Sequence, residues 1–174
     1  MKNKCYFLEY LLLGVVFGFT PGADKAYDGL SMASFQLEVL HSVQGVIKHS
    51  LSTEQALRYQ NGDIAYPEGL YVSLYEADKN VSVTGRANSA YFFSEDKVLE
   101  FRGDVELTRL NNKLQLNTEA LYLSTETETF YTDKFVRIET EDELLTGEGL
   151  TAKRDLSYYT LSKPQGLFNV KAIK

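Results

Sequence analysis

Two histidines, His41 and His49, are the only imidazoles in the chain, and Cys5 is the only thiol. Eight residues apart, the histidines would share a face if one unbroken strand joined them, and they could then be metal ligands. Gly45 interrupts that run, and no third ligand of the three or four that a metal site needs stands nearby. The plainer expectation is two surface or partly buried imidazoles. The carboxylates Glu139, Glu141, Asp142, Glu143 and Glu148 cluster. A glycosidase needs two carboxylates across a sugar-sized gap, one of them with its pKa raised by burial. This cluster surrounds a polar turn, so it reads as a solvated hairpin. Nucleophile elbows, phosphate-cradling Gly-rich loops and paired metalloprotease histidines are absent from the sequence. Most acid–base and covalent mechanisms therefore lack parts. The expectation is a protein that binds, not an enzyme, and one that needs no cofactor.

The 174 residues suit one domain with a real core. With 12 Tyr and 10 Phe against 3 Pro and no Trp, and with many Val, Leu and Thr, the composition favours pleated, half-buried surfaces. Net charge is −6, with Lys and Arg scattered. Without a basic stripe the chain is a poor partner for nucleic acid. A single cysteine cannot form an internal disulfide, so the fold must stand on its packing.

At the N-terminus Lys2 and Lys4 precede an apolar stretch in which Tyr10 to Phe19 carry no charge and Glu9 interrupts any longer run. A signal-peptide core needs roughly 7–15 apolar residues and a membrane span about 20. Residues 1–23 are expected to be a signal peptide or a short membrane anchor. Residues 24–34 are expected to be a polar tether, and residues 35–174 the folded domain.

From Phe35 the pattern has period two. Phe35, Leu37, Val39 and Val43 alternate with polar residues; so do Leu70, Val72 and Leu74, then Leu99, Phe101, Val105 and Leu107, then Val136 and Ile138. Such alternation places one face on a core and the other in water. Turn signals fall between the runs: Asn61-Gly62-Asp63, Pro67-Glu68-Gly69, Asp78-Lys79-Asn80, Asn111-Asn112 and Pro164-Gln165-Gly166. Ser52 to Tyr59 contains helix formers, but its strand-like neighbours favour a strand or irregular turn. Ala90-Tyr91, Leu99 and Val105-Glu106-Leu107 return 31 residues later as Leu121-Tyr122, Phe130 and Val136-Arg137-Ile138. A looser third copy holds Gly149-Leu150, Tyr159 and Gly166-Leu167-Phe168. Repeated hairpins of this kind stack into a sheet whose core no single unit could bury, with unpaired edges at its ends. The rings of Tyr91-Phe92-Phe93, Phe130-Tyr131 and Tyr158-Tyr159 allow either ordinary packing on both faces or an apolar cleft between two sheets.

The run Leu116-Asn117-Thr118-Glu119-Ala120-Leu121-Tyr122-Leu123, then Phe130 to Ile138, then Thr146-Gly147-Glu148-Gly149-Leu150-Thr151-Ala152 resembles the LptC family, the periplasmic subunit of the lipopolysaccharide export ABC transporter. Gly62 to Gly69, Arg102 to Leu107 and Asp155 to Tyr159 extend the resemblance, which covers roughly residues 35–170 and the short basic-apolar N-terminus. It implies an all-β fold, an open, twisted antiparallel β-jellyroll of two sheets, in the periplasm and tethered to the inner membrane by its N-terminus. It also implies a role: accepting lipopolysaccharide from an inner-membrane transporter of the LptF/LptG type, powered by the LptB ATPase, and passing it to an LptA-like bridge protein by pairing of edge strands. Combining that role with the alternation, the expected groove residues are Leu37, Val39, Leu70, Val72, Leu74, Leu99, Phe101, Phe130, Val136, Ile138, Phe168 and Val170. The expected edge for the LptA-like partner is Gly166, Leu167, Phe168, Asn169, Val170, Lys171, Ala172 and Ile173, and Phe35 to Val43 is the expected transporter side. The rival readings are a β-rich periplasmic scaffold with a filled core and, behind it, a glycan-acting enzyme.

Overall fold

The computed structural model describes residues 29–76 and 79–169. The expected signal or anchor over residues 1–23 lies outside them, as do Val170, Lys171, Ala172, Ile173 and the side chains of Leu167, Phe168 and Asn169. The described chain is eleven antiparallel strands: β1 (Leu30–Val43), β2 (Val46–Tyr59), β3 (Ile64–Tyr66), β4 (Leu70–Tyr75), β5 (Val81–Ala87), β6 (Ser89–Phe93), β7 (Val98–Arg109), β8 (Leu114–Ser124), β9 (Thr129–Glu139), β10 (Glu143–Lys153) and β11 (Tyr159–Asn169). The first strand begins at Leu30, inside the stretch expected as a tether. Ser52 to Tyr59 is strand, the C-terminal part of β2.

The hydrogen-bonded order is β11-β10-β9-β8-β7-β5-β4-β2-β3-β6, with β6 returning to β7 and β1 paired, among the described residues, to β2 alone. Long strands serve two sheets. The first half of β7 pairs with β6 (Ala90↔Phe101) and its second half with β5 (Gly85↔Leu107). β2 divides in the same way between β4 (Leu51↔Val72) and β3 (Leu57↔Ala65). The chain thus makes the two-layered, open jellyroll implied by the resemblance, with strands that cross between layers at bends.

The bends are built from local chemistry. In β7 the register slips between Arg102 and Val105, where Gly103 has φ 74° and Asp104 φ 45°. In β10 it slips between Glu148 and Leu150, around Gly149 at φ 75°. An extra residue in a ladder sharpens strand bending, and glycine takes a positive φ at little cost. Between β8 and β9 the slip lies at Thr118/Tyr122. There the Thr118 hydroxyl donates to the Phe135 carbonyl at 2.8 Å, and the Lys134 N–H donates to Thr132 Oγ1 at 3.1 Å. These bonds account for two of the few buried polar side chains.

The period-two reading of β7 holds: Leu99, Phe101, Val105 and Leu107 are all buried. Glu100 is buried too, on the opposite face, where Arg102 Nε stands 2.8 Å from its Oε1. The 31-residue repeat corresponds to the hairpins β6–β7, β8–β9 and β10–β11. Pro164-Gln165-Gly166 is not a turn but the middle of β11. Pro164 sits opposite Gly147 at a register shift, in a strand whose other edge has no neighbour among the described residues. Proline lacks a donor, so an edge strand or a bulge is where a sheet accepts it.

Candidate functional site

Between the two layers lies a cavity of about 620 Å³, walled mainly by aliphatic and aromatic side chains. One wall comes from Leu51 of β2, Val72 and Leu74 of β4, Val83 of β5 and Leu107 of β7. Leu99 and Phe101 of β7, Leu123 of β8 and Phe130 of β9 form the other. The Phe101 and Phe130 rings meet at 6.4 Å between centroids, tilted by 56°. A cavity of this size falls in the range of small-ligand sites, commonly 300–1,000 Å³.

Polar groups gather at its mouth: His41, Lys48, His49 and Ser50 from the β1–β2 hairpin, and Thr125, Glu128 and Arg154 from the β8–β9 and β10–β11 turns. The hairpin turns on Gln44 (φ 52°) and Gly45 (φ 78°). Two positive φ values in a two-residue loop match the twist of flanking strands. The turn brings His41 opposite His49 in the ladder, with ring centroids 4.6 Å apart and planes within 15°. So Gly45, which interrupts the run in sequence, is what unites the histidines. No third metal-ligating side chain joins them among the described residues. Burial holds His49 below the usual imidazole pKa, and His41 and Arg154 push the same way against the opposing Glu128. Across the mouth, Arg154 Nη1 pairs with Glu128 Oε1 at 2.9 Å, and its N–H donates to the Glu128 carbonyl at 2.9 Å.

Of the expected groove residues, Val72, Leu74, Leu99, Phe101 and Phe130 stand on the cavity wall. Leu70, Val136 and Ile138 point inward but belong to closed core with Val105, Leu114, Leu116 and Leu150, and they have almost no exposed surface. They do not line this cavity: alternation identifies the inner face, not whether that face meets a side chain or a void. Leu37 is half-buried beside a separate, polar depression with Gln36, Glu38 and Glu54. Val39, 44% exposed on β1, does not line the cavity either. Phe168 and Val170 lie outside what is described. The groove set omits Leu51, Val83, Leu107 and Leu123. Leu107 lies in an alternation already read as inward, and Val83 alternates with Ser82 and Thr84 in the same way. The polar mouth has no signal in the sequence, because it assembles from three separate turns.

The acidic group at the β9–β10 turn is solvated: Glu141, Asp142 and Glu143 are exposed, and Glu139 pairs with Arg137 at 2.7 Å. Among the described residues β11 pairs with β10 alone and β1 with β2 alone, and on β1 Phe35 is 69% and Leu40 56% exposed.

No curated protein matches the chain. Residues 27–165 match the sequence model of the LptC family, described as lipopolysaccharide-assembly, LptC-related. That span takes in every described strand except the last residues of β11, and its all-β, two-layered architecture is the one found here. The chain therefore belongs to the LptC-related family of lipopolysaccharide-assembly proteins and takes part in lipopolysaccharide transport.

Proposed function

We propose that this protein is a non-catalytic, lipid-binding component of the export bridge, held at the periplasmic side of the inner membrane. It accepts the acyl chains of lipopolysaccharide into the cavity between its two layers and passes them on. The observation that carries this reading is the apolar cavity itself, with the Phe101 and Phe130 rings in its wall. Each methylene moved from water into such a site gains about 0.8 kcal/mol, so partial insertion of a chain suffices for useful binding. The lipid arrives from an LptF/LptG-type transporter driven by an LptB-type ATPase, on the side of β1. It leaves toward an LptA-like protein that pairs with β11. Among the described residues neither strand has a partner on its outer edge, which is what strand addition requires.

The test is site-specific photocrosslinking in cells. Crosslinkers at Leu51 and Leu123, both on the cavity wall, capture lipopolysaccharide. Crosslinkers at Leu110 and Tyr131, which are exposed elsewhere, do not. Capture from the second pair alone would put the lipid outside the sandwich and end the reading.

A further inference from the structure

The cavity has a chemically distinct mouth. On a chain of net charge −6, the charged side chains there are Lys48, Arg154 and Glu128, a positive balance even with both imidazoles neutral. Glu128 is already matched to Arg154 at 2.9 Å. Lys48 is in no ion pair among the described residues. His41 and His49, stacked at 4.6 Å, add two ring N–H donors. Below these groups the walls are apolar. A basic rim over an apolar interior fits an amphiphile with an anionic head.

Resting on the lipid-binding reading above, we infer that His41, His49, Lys48 and Arg154 form a headgroup site for a phosphate monoester, seated at the mouth while the attached chains occupy the cavity. The stacked pair favours phosphate over a carboxylate. Two ring N–H donors, an ammonium and a guanidinium outnumber the two acceptor oxygens of a carboxylate. A phosphate monoester supplies up to two negative charges and three acceptor oxygens. Four side chains from two strands and a turn converge on that requirement: His41 from β1, Lys48 and His49 from β2, and Arg154 from beyond β10. Of the groups facing His49, His41 and Arg154 disfavour added positive charge and Glu128 favours it.

Isothermal titration of the full-length chain near neutral pH tests this with three probes: decyl phosphate, decyl maltoside and inorganic phosphate. Decyl phosphate binds roughly tenfold to a hundredfold tighter than decyl maltoside, the range for one hydrogen bond to a charged group. Inorganic phosphate binds far more weakly than decyl phosphate. His41→Gln and Arg154→Gln each bring decyl phosphate toward the maltoside value and leave maltoside unchanged. A proton-NMR titration of the His49 imidazole needs no variant: decyl phosphate raises the pH at which it protonates, and maltoside does not. Equal affinity for the two alkyl probes overturns the headgroup site while the cavity reading stands. If inorganic phosphate binds as tightly as decyl phosphate, the site serves free phosphate and the inference falls. If no alkyl probe binds, the cavity reading falls with it.

Discussion

Thr118 on β8 donates its hydroxyl to the carbonyl of Phe135 on β9, 2.8 Å away, at the corner where both strands leave one layer for the other. The ladder slips here, so the Phe135 carbonyl has lost its regular partner and a side chain supplies the replacement. Thr118→Val keeps the shape and removes the donor. It is expected to cost about 0.5–1.5 kcal/mol, the net worth of one hydrogen bond. Urea denaturation followed by far-UV circular dichroism measures this. An unchanged midpoint would mean that the corner holds without the bond.

Glu100 is the most deeply buried carboxylate in the described chain, and its stability contribution is asymmetric. Its side chain is 3% exposed, whereas that of its partner Arg102 is 67% exposed. The Tyr122 hydroxyl also bonds to Glu100, which holds the Tyr122 pKa above its ordinary value. Arg102→Met strips the carboxylate of its counter-charge and is expected to destabilise by about 1–3 kcal/mol. Glu100→Gln leaves Arg102 in water and Tyr122 with an acceptor, so it costs less. With Glu100→Gln already in place, the further loss of Arg102 is close to neutral. A double-mutant cycle reads the coupling, and additive single effects would refute it.

Legibility in the sequence follows how local each feature is. Strand identity and inward faces are readable because alternation is a property of neighbours: Leu99, Phe101, Val105 and Leu107 are all inside. Whether an inward residue meets packing or space depends on the opposite layer. Val136 and Phe101 have the same pattern signature, yet one is closed core and the other cavity wall. The histidine pair is hidden by the double role of one glycine. Gly45 breaks a strand, but with Gln44 it also forms a two-residue hairpin turn, and His41 and His49 flank that turn. The burial of Glu100 runs against its residue type and follows only from the folded arrangement. Pro164 misleads for a similar reason: proline suggests a turn, and an edge strand tolerates it equally well.

Gly147 sets how closely β11 can lie on β10. A Cβ added there would stand 2.6 Å from the Lys163 carbonyl oxygen and 3.0 Å from Pro164 Cα. Both are backbone atoms of the edge strand, so no side-chain rotation relieves the clash. Gly147→Ala is expected to cost about 1–3 kcal/mol, typical of overpacking, and to loosen β11 before the rest of the sheet. Hydrogen exchange checks this: amides between Leu161 and Gly166 should lose protection while those of β7 and β8 keep theirs. Uniform loss across the molecule would mean that β11 does not open separately.

The mouth makes stability depend on pH through His49. Burial disfavours its charged form, and the neighbouring His41 and Arg154 add to that, outweighing Glu128. Its folded pKa therefore lies below the reference value of 6.5 expected for the unfolded chain. Between those two values the unfolded state binds more protons, so stability rises with pH there. The contribution is fully present above pH 6.5 and is lost as pH falls through the lower, folded pKa. His49→Gln removes the titration and keeps a polar side chain of similar reach. Melting temperatures of the two proteins should run parallel above pH 6.5 and converge or cross below it, where the wild type alone bears the cost of charging His49. The shared decline from carboxylate protonation cancels in the comparison, because both chains carry the same carboxylates. Parallel curves through the acidic range would mean that His49 takes its proton as readily folded as unfolded. The packing of its ring against His41 would then have no electrostatic consequence.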